Sequence, residues 1–277
     1  MKKNKKILII YIAIFFTNIH AKNIVVPGEL IAIKLNDDTK EFNSKQLTID
    51  YGIDTYIIFP IAHNQKEFKF NNQIIKIQEK DFCESRITIN NLSLVDLNDA
   101  DAKRAAKESR LIRETLNIYS RDKKPLLNFI KPVDGIISSR YGKKRFINNS
   151  PRSPHLALDI AAAEGTAIIA PADGQVVLTG NFFYGGNFIM IDHGHGMLTS
   201  YSHLSKITVK NGDSVLQSEL IGEVGSTGRV TGPHLHWTVY LNKVRINPES
   251  LLKENYLTSL LKTIYNFIKA IFCLGSK

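Results

Sequence analysis

Cysteine is scarce in this sequence of 277 residues, which holds only Cys83 and Cys273. That excludes a disulfide-built scaffold and any zinc module made of cysteines. Long apolar runs are also missing. No stretch of 18 apolar residues occurs, whereas a helix crossing a roughly 30 Å hydrocarbon core needs about 20. Acid is absent from residues 1–21, where Lys2, Lys3, Lys5 and Lys6 precede the apolar run Ile7–Phe16 and a polar stretch ending at Ala21. This is the layout of a secretory signal peptide. A cut after Ala21 is expected, in preference to an uncleaved anchor, so the mature chain is expected to be exported to the periplasm or cell envelope. No stripe of Arg and Lys with interleaved aromatics accompanies the net charge of +10, which argues against nucleic acid as a partner. An anionic polymer or surface fits that charge better.

What is present suits one or two packed domains, since 43% of residues are hydrophobic and 22% charged. Over residues 22–97, short alternating runs recur about every ten residues: Glu29–Leu35, Gln46–Asp50, Asp54–Phe59, Glu67–Phe70, Gln73–Ile77 and Ser85–Ile89. Such spacing of β-branched and aromatic runs predicts a small sandwich-like accessory β domain. It carries no cluster of titratable groups. Residues 98–127 change character: Ala102, Ala105, Leu111, Ile112, Leu116 and Ile118 keep helical spacing after a capping Asn98 or Asp99. The narrow apolar stripe predicts a connector helix lying over a surface.

Residues 128–252 return to short, glycine-punctuated strands, including Gly174–Gly180, Asn187–Asp192, Met197–His203 and His234–Leu241. An antiparallel β-rich domain whose loops carry chemistry is expected. Residues 253–277 are expected to form the body of an amphipathic tail helix, opened by Asn247 as cap and Pro248 in the first turn. Leu257, Leu260, Leu261, Ile264, Ile268, Ile271 and Phe272 make its apolar stripe. Packing on its own chain, or a homodimer contact, is favoured over a membrane surface.

Six of the eight histidines fall between His155 and His236. Three patterns stand out: His155-x-x-x-Asp159, Tyr201-Ser-His203 and His234-Leu-His236. Imidazole and carboxylate are the ligands zinc takes in hydrolytic sites, where three protein ligands leave a place for water. In a strand, His234 and His236 share one face, and Leu235, Trp237, Val239 and Leu241 the other. His155 and Asp159 would stand roughly 13 Å apart in a straight strand and roughly 6 Å apart in a helix. Spacing alone leaves open whether that segment is helical or a strand entered through a bend.

From about Pro132 to Leu252 the sequence resembles the lysostaphin-type (LytM-domain) zinc endopeptidases of bacterial cell walls. The resemblance rests on Ile137-Ser-Ser-Arg-Tyr-Gly142, Pro154-His-Leu-Ala-Leu-Asp-Ile160, Ala170-Pro-Ala-Asp-Gly174, Ile191-Asp-His-Gly194, Tyr201-Ser-His-Leu204, Gly225-Ser-Thr-Gly228 and Gly232-Pro-His-Leu-His-Trp237. Ala157 stands where the family often has glycine. The resemblance implies one zinc per chain held by His155, Asp159 and His236, with His203 and His234 as unliganded catalytic histidines. It also implies that His155 precedes the strand carrying Asp159, so the chain bends between them. His193 is read as structural. Arg140 is a candidate for gripping a substrate carboxylate, and Asn187 and Tyr201 are weaker groove candidates. The implied activity is hydrolysis of peptide cross-links in peptidoglycan, a D-Ala–diaminopimelate link more than a glycine bridge if the cell is Gram-negative. The alternative is a catalytically inactive murein-binding activator of a cell-wall amidase.

Overall fold

A computed structural model describes residues 25–35, 45–70, 73–90 and 96–261. The expected signal segment 1–21, Cys273 and the tail stripe from Ile264 onward lie outside the described residues. Among the described residues no helix is long and apolar enough to cross a membrane.

The six N-terminal runs become β1 (Leu30–Lys34), β2 (Leu47–Tyr51), β3 (Asp54–Pro60), β4 (Glu67–Phe70), β5 (Gln73–Lys76) and β6 (Glu84–Ile87). A three-stranded sheet has the order β1-β3-β2, and β4 pairs with β5 as a hairpin. Alternation along β1 sends its side chains two ways. Ile31 joins Ile61, Phe68 and Ile77 on the hairpin side, while Leu30 and Ala32 enter the main core. That core also holds Trp237, Ile189 and Leu204 from the C-terminal region. The N-terminal strands are therefore a sandwich-like layer whose inner face is shared, not a unit with a closed core of its own.

Helix α1 (Asp99–Thr115) ends before Leu116 and Ile118, the last two positions of the expected helical spacing, and Asn98 caps it by accepting from the Asp101 backbone N–H. Ile112 and Leu116 pack on a second cluster of Leu178, Phe182, Phe188, Met190, Leu198 and Tyr240. Its polar face is anchored as well: Glu108 bonds Arg104 at 2.7 Å and accepts from the Phe183 N–H at 2.6 Å.

The C-terminal region supplies β7 (Ile136–Ser139), β8 (Lys144–Ile147), β9 (Ser150–Arg152), β10 (Leu158–Ala161), β11 (Ala167–Ile169), β12 (Gly174–Phe182), β13 (Gly186–Gly194), β14 (Met197–Ile207), β15 (Ser214–Val215), β16 (Leu220–Val224), β17 (His234–Leu241) and β18 (Val244–Ile246). Their main sheet runs β15-β12-β13-β14-β17-β10-β7, with β11, β16 and β18 attached at its margins. β6 leaves its N-terminal neighbours and pairs in parallel with β8, which also carries β9. Strand β17 alternates as its sequence requires: Leu235, Trp237, Val239 and Leu241 are wholly buried, and His234 and His236 turn to the opposite face.

The tail departs from a single helix. Asn247 caps α2 (Pro248–Leu251), which stops after four residues. The chain turns through Asn255 at φ 56°, and a second helical segment starts at 256. A positive φ at Asn255 ends the helical hydrogen-bond ladder, and Asn tolerates that conformation better than most residues. Leu251, Tyr256, Leu260 and Leu261 lie in the main core, so the described part of the stripe packs on its own chain.

Candidate functional site

Asp159 on β10 stands directly opposite His236 on β17, and Ala161 opposite His234. Directly opposed residues on one face have Cβ atoms about 5 Å apart, which brings carboxylate and imidazole together. His155 lies before β10, and the intervening bend returns its ring to the same point, as the family resemblance implied. His155 Nε2 is 3.0 Å from Asp159 Oδ1, His236 Nδ1 is 2.7 Å from that oxygen, and the two ring nitrogens are 3.4 Å apart. All three ligand atoms lie within 4.8 Å of one another. The other nitrogen of His155 donates to the Arg140 carbonyl at 3.1 Å. That bond orients the ring so that Nε2 faces Asp159, bearing a proton toward the carboxylate when no metal is bound and offering its lone pair when one is, the outer-shell arrangement metal-ligating histidines use. Burial alone would raise the Asp159 pKa. The charges and hydrogen bonds of His236 and His155 outweigh it and hold the carboxyl well below its ordinary value. Two imidazole nitrogens and an ionised carboxylate, all facing one point, fit a divalent metal.

His203 and His234 flank this cluster, their ring centroids 4.9 Å apart, and the His203 ring is 5.8 Å from that of His236. Each donates from Nδ1 to a backbone carbonyl, His203 to Thr227 and His234 to Gly232, both at 2.9 Å. Both Nε2 atoms are thereby left as acceptors. His234 Nε2 is 3.9 Å from Asp159 Oδ1. His203 owes its placement to a bulge: β14 sets Ser202 and His203 against the single Phe188 of β13. At the same step β14 exchanges one neighbour for another, from β17 at Ser202 to β16 at Leu204. The backbone of His203 sits at φ 71°. Bulges of this kind re-aim a side chain, and strained φ values gather at functional sites. Burial, reinforced by the neighbouring His236 and His234, pushes the His203 pKa down to about 3, so the ring is neutral at physiological pH.

These five side chains lie at one part of a cavity of about 800 Å³. Its walls include Ala105, Glu108 and Ile112 of α1 and Ser85 and Ile87 around β6, besides Tyr184 and Arg229 from loops. Helix α1 therefore borders the groove as well as connecting the chain.

A family model for peptidase family M23 matches residues 153–248. A solved structure from Pseudomonas aeruginosa, assigned to peptidase M23, is 30% identical with a TM-score of 0.63, and the match covers 82% of this chain and 94% of that one. The chain belongs to peptidase family M23. Among curated relatives, the peptidoglycan DD-endopeptidase ShyA of Vibrio cholerae is 43% identical over 127 residues, covering 45% of this chain and 29% of that protein. An uncharacterised metalloprotease of Buchnera aphidicola is 42% identical over 138 residues, covering 49% and 36%. The chain thus spans about a third of the length of these curated relatives.

Not every residue singled out in the sequence lies in the M23 groove. Tyr201 has no exposed surface, and its hydroxyl bonds Thr199 Oγ1 at 2.8 Å. It belongs to the main core, because alternation along β14 turns it away from the face on which Ser200 and Ser202 border the cavity. The Arg140 guanidinium pairs with Glu249 of α2, and only its carbonyl reaches the site. Asn187 donates to the carbonyls of Leu204 and Ser205 at 3.0 and 3.2 Å. It ties down the backbone that follows His203, so its work is local bracing. The sequence reading missed Lys143, Arg145, Arg152 and Arg229, which line the cavity. The cue was the density of cations just before His155, which scattered lysines elsewhere obscured; Arg229, a single cation within Gly225–Pro233, gave none.

His193 is buried, held between the Asp173 carbonyl at 2.7 Å and Thr199 Oγ1 at 2.8 Å. Burial pushes its pKa down to about 4, against the raising effect of the Asp173 hydrogen bond. An unfolded chain, with His near 6.5, binds the proton more readily. The stability tied to this ring is therefore complete above about pH 6.5 and is lost as pH falls toward 4, with an upper bound of about 3 kcal/mol. Denaturant titrations at pH 7 and pH 5 should show a smaller stability difference for His193→Gln than for the native chain. Equal differences would exclude this ring as a source of acid sensitivity.

Glycine supports His203 from behind. Gly186 has φ 61°, and a Cβ there would run into Thr227, whose carbonyl orients His203. Gly186→Ala is expected to cost at least about 1–2 kcal/mol from the left-handed backbone alone, and to lower turnover by displacing Thr227. Urea melts and assays on the same sample check both effects. Unchanged turnover would show that Thr227 does not govern the ring.

Proposed function

We propose that this M23 chain is an exported, zinc-dependent peptidoglycan endopeptidase that hydrolyses peptide cross-links of murein. The observation that carries the reading is the meeting of three ligand atoms with two backbone-oriented, unliganded histidines in one groove. In this reading His155, Asp159 and His236 hold one zinc ion, which when bound supplies Lewis acidity to the scissile carbonyl and the attacking water. The chain's own contribution is positional and protolytic. Asp159, held ionised, supplies the anionic ligand. His203 and His234 present free Nε2 atoms, so one takes a proton from the attacking water and, as the imidazolium so formed, can pass it to the leaving amine, while the other donates to the developing oxyanion only in its own protonated form. Their Nδ1–carbonyl bonds stop the rings from turning away during proton transfer. The basic leader, residues 1–21, supports export to the periplasm or cell envelope, where peptidoglycan is the partner.

The inactive-activator reading requires a groove that has lost part of this set. All five side chains are present and meet, so nothing in the site favours it. Digestion of purified sacculi with the zinc-loaded mature protein, followed by mass spectrometry of the products, tests the function. Release of peptide dimers split at the cross-link, with about one zinc per chain, is the expected result. Intact cross-links alongside stimulation of an added amidase would establish the alternative.

A further inference from the structure

Of the three ligand residues, Asp159 and His236 sit on paired strands, where the sheet's hydrogen-bond ladder fixes them. His155 sits in the irregular stretch before β10 and belongs to no ladder. What holds it is the turn between β7 and β8, residues 140–143. The Gly142 N–H donates to the His155 carbonyl at 2.6 Å, and the His155 N–H donates to the Lys143 carbonyl at 2.9 Å. The ring donates from Nδ1 to the Arg140 carbonyl at 3.1 Å. Backbone and side chain of this buried ligand therefore take their position from one turn.

The turn is held in its own right from behind, by the N-terminal strands. His63, in the loop between β3 and β4, donates from Nε2 to the Gly142 carbonyl at 3.0 Å. Phe82, in the segment before β6, has its ring centroid 4.8 Å from that of His63 and 5.9 Å from that of Tyr141, edge-on to the latter. Aromatic pairs favour such edge-on contacts. Tyr141 is buried, and its hydroxyl donates to the Arg245 carbonyl at 3.1 Å. Gly142 has φ 92°, a left-handed backbone that glycine adopts without steric cost, and a Cβ there would run into the Phe82 ring. Just past the turn, the Lys144 N–H donates to the Cys83 carbonyl at 3.0 Å, where β6 and β8 begin to pair. Phe82 thus stops the turn from moving toward the N-terminal strands, and the His63 bond stops it from moving away.

We propose that His63 and Phe82 are positioning residues for the ligand His155, so that the N-terminal strands complete the metal site of the C-terminal region. This rests on the zinc reading above. A metal binds more tightly when its ligands are ordered before it arrives, because binding no longer carries the cost of ordering them. Direct outer partners of a ligating histidine are worth about 10–100-fold in affinity. His63 and Phe82 act one step further back, through residues 140–143, and neither lines the cavity. A smaller factor is therefore expected of them, read in metal affinity first.

The test titrates the full mature chain, freed of metal, with zinc buffered by a competing chelator. His63→Ala and Phe82→Ala should each raise the zinc Kd by about 3–10-fold, below the range of a direct outer partner. His63→Gln, whose amide can donate to the same carbonyl, should restore most of the affinity. Phe68→Leu is the control. Phe68 is buried with Ile31, Ile61 and Ile77 on the hairpin side, so this change lowers the melting temperature of the same layer away from the turn, and its zinc Kd should stay native. Native affinity in folded His63→Ala and Phe82→Ala overturns the proposal. So does an equal loss in Phe68→Leu, which would mean that any loosening of the layer weakens the site. Where Phe82→Ala fails to fold, Phe82→Leu takes its place, with a smaller rise in Kd expected and native affinity again overturning the proposal. If the native chain binds no zinc, the metal reading fails on its own account. Solvent exchange of the His155 Nδ1 proton, followed by NMR, then decides the positioning: faster exchange in His63→Ala supports it, and equal protection overturns it.

Discussion

Asp159→Ala is expected to abolish stoichiometric zinc binding, and turnover with it, while His193→Ala keeps its zinc. The two residues offer a fair contrast because both lie near the sheet's buried strands and both are tied into hydrogen-bond networks. Only Asp159 contributes a ligand atom to the cluster, within 3.0 Å of the nitrogens of both His155 and His236. Losing an outer partner of a metal site typically costs about 10–100-fold in affinity, and losing the one anionic ligand should cost more. Without that carboxylate, two imidazoles, one buried and one half-buried, would face each other with nothing to compensate a cation's charge. Equilibrium dialysis against buffered zinc, with metal analysis of the dialysed protein, gives the answer. Zinc retained at native affinity by Asp159→Ala, or lost as readily by His193→Ala, would show that the metal lies elsewhere.

Much of the fold was readable because its strands obey period-two alternation. The run His234–Leu241 shows why: four apolar side chains on one face demand a core, so the two histidines had to face a groove. The N-terminal runs were placed as strands for the same reason. Their partnership was not, since alternation says which face is buried but not against what. Leu30 and Ala32 share a core with Trp237, and β6 pairs with β8 across a long stretch of chain. Non-local pairings of that kind leave no local signature. The tail differs for another reason: helical spacing from Leu257 onward, with Asn247 and Pro248 as its opening, does not reveal that the backbone breaks at Asn255.

The site divides along the same line. His155-x-x-x-Asp159 could not be placed by spacing, because a bend is invisible to periodicity, and the motif resemblance supplied it. Arg140 and Tyr201 were attractive by residue type alone. Chemistry of type does not reveal that Glu249 reaches one of them or that Thr199 holds the other in the core. Arg145 is the converse: it reads as one cation among many until β8 and β9 set it against Arg152.

His203→Ala and His234→Ala are expected to keep about one zinc per chain and yet lose about 10²–10⁴-fold in kcat, the contribution of general acid–base groups. Neither residue is in the cluster of three ligand atoms, so metal affinity should survive. Each ring also satisfies a carbonyl, of Thr227 or Gly232, and truncation leaves that group without its partner. For His203, which is 7% exposed, this costs about 1–3 kcal/mol of stability, so a drop in melting temperature is expected there and a smaller one at His234. Gln variants separate the two consequences, because a side-chain amide can donate to the same carbonyl but cannot relay a proton at neutral pH. His203→Gln should therefore recover most of the stability lost in His203→Ala and almost none of the turnover. If the Gln variant regains turnover along with stability, His203 is a structural ring at a backbone bulge. If either Ala variant loses zinc as readily as His236→Ala, the division between ligands and proton carriers is wrong.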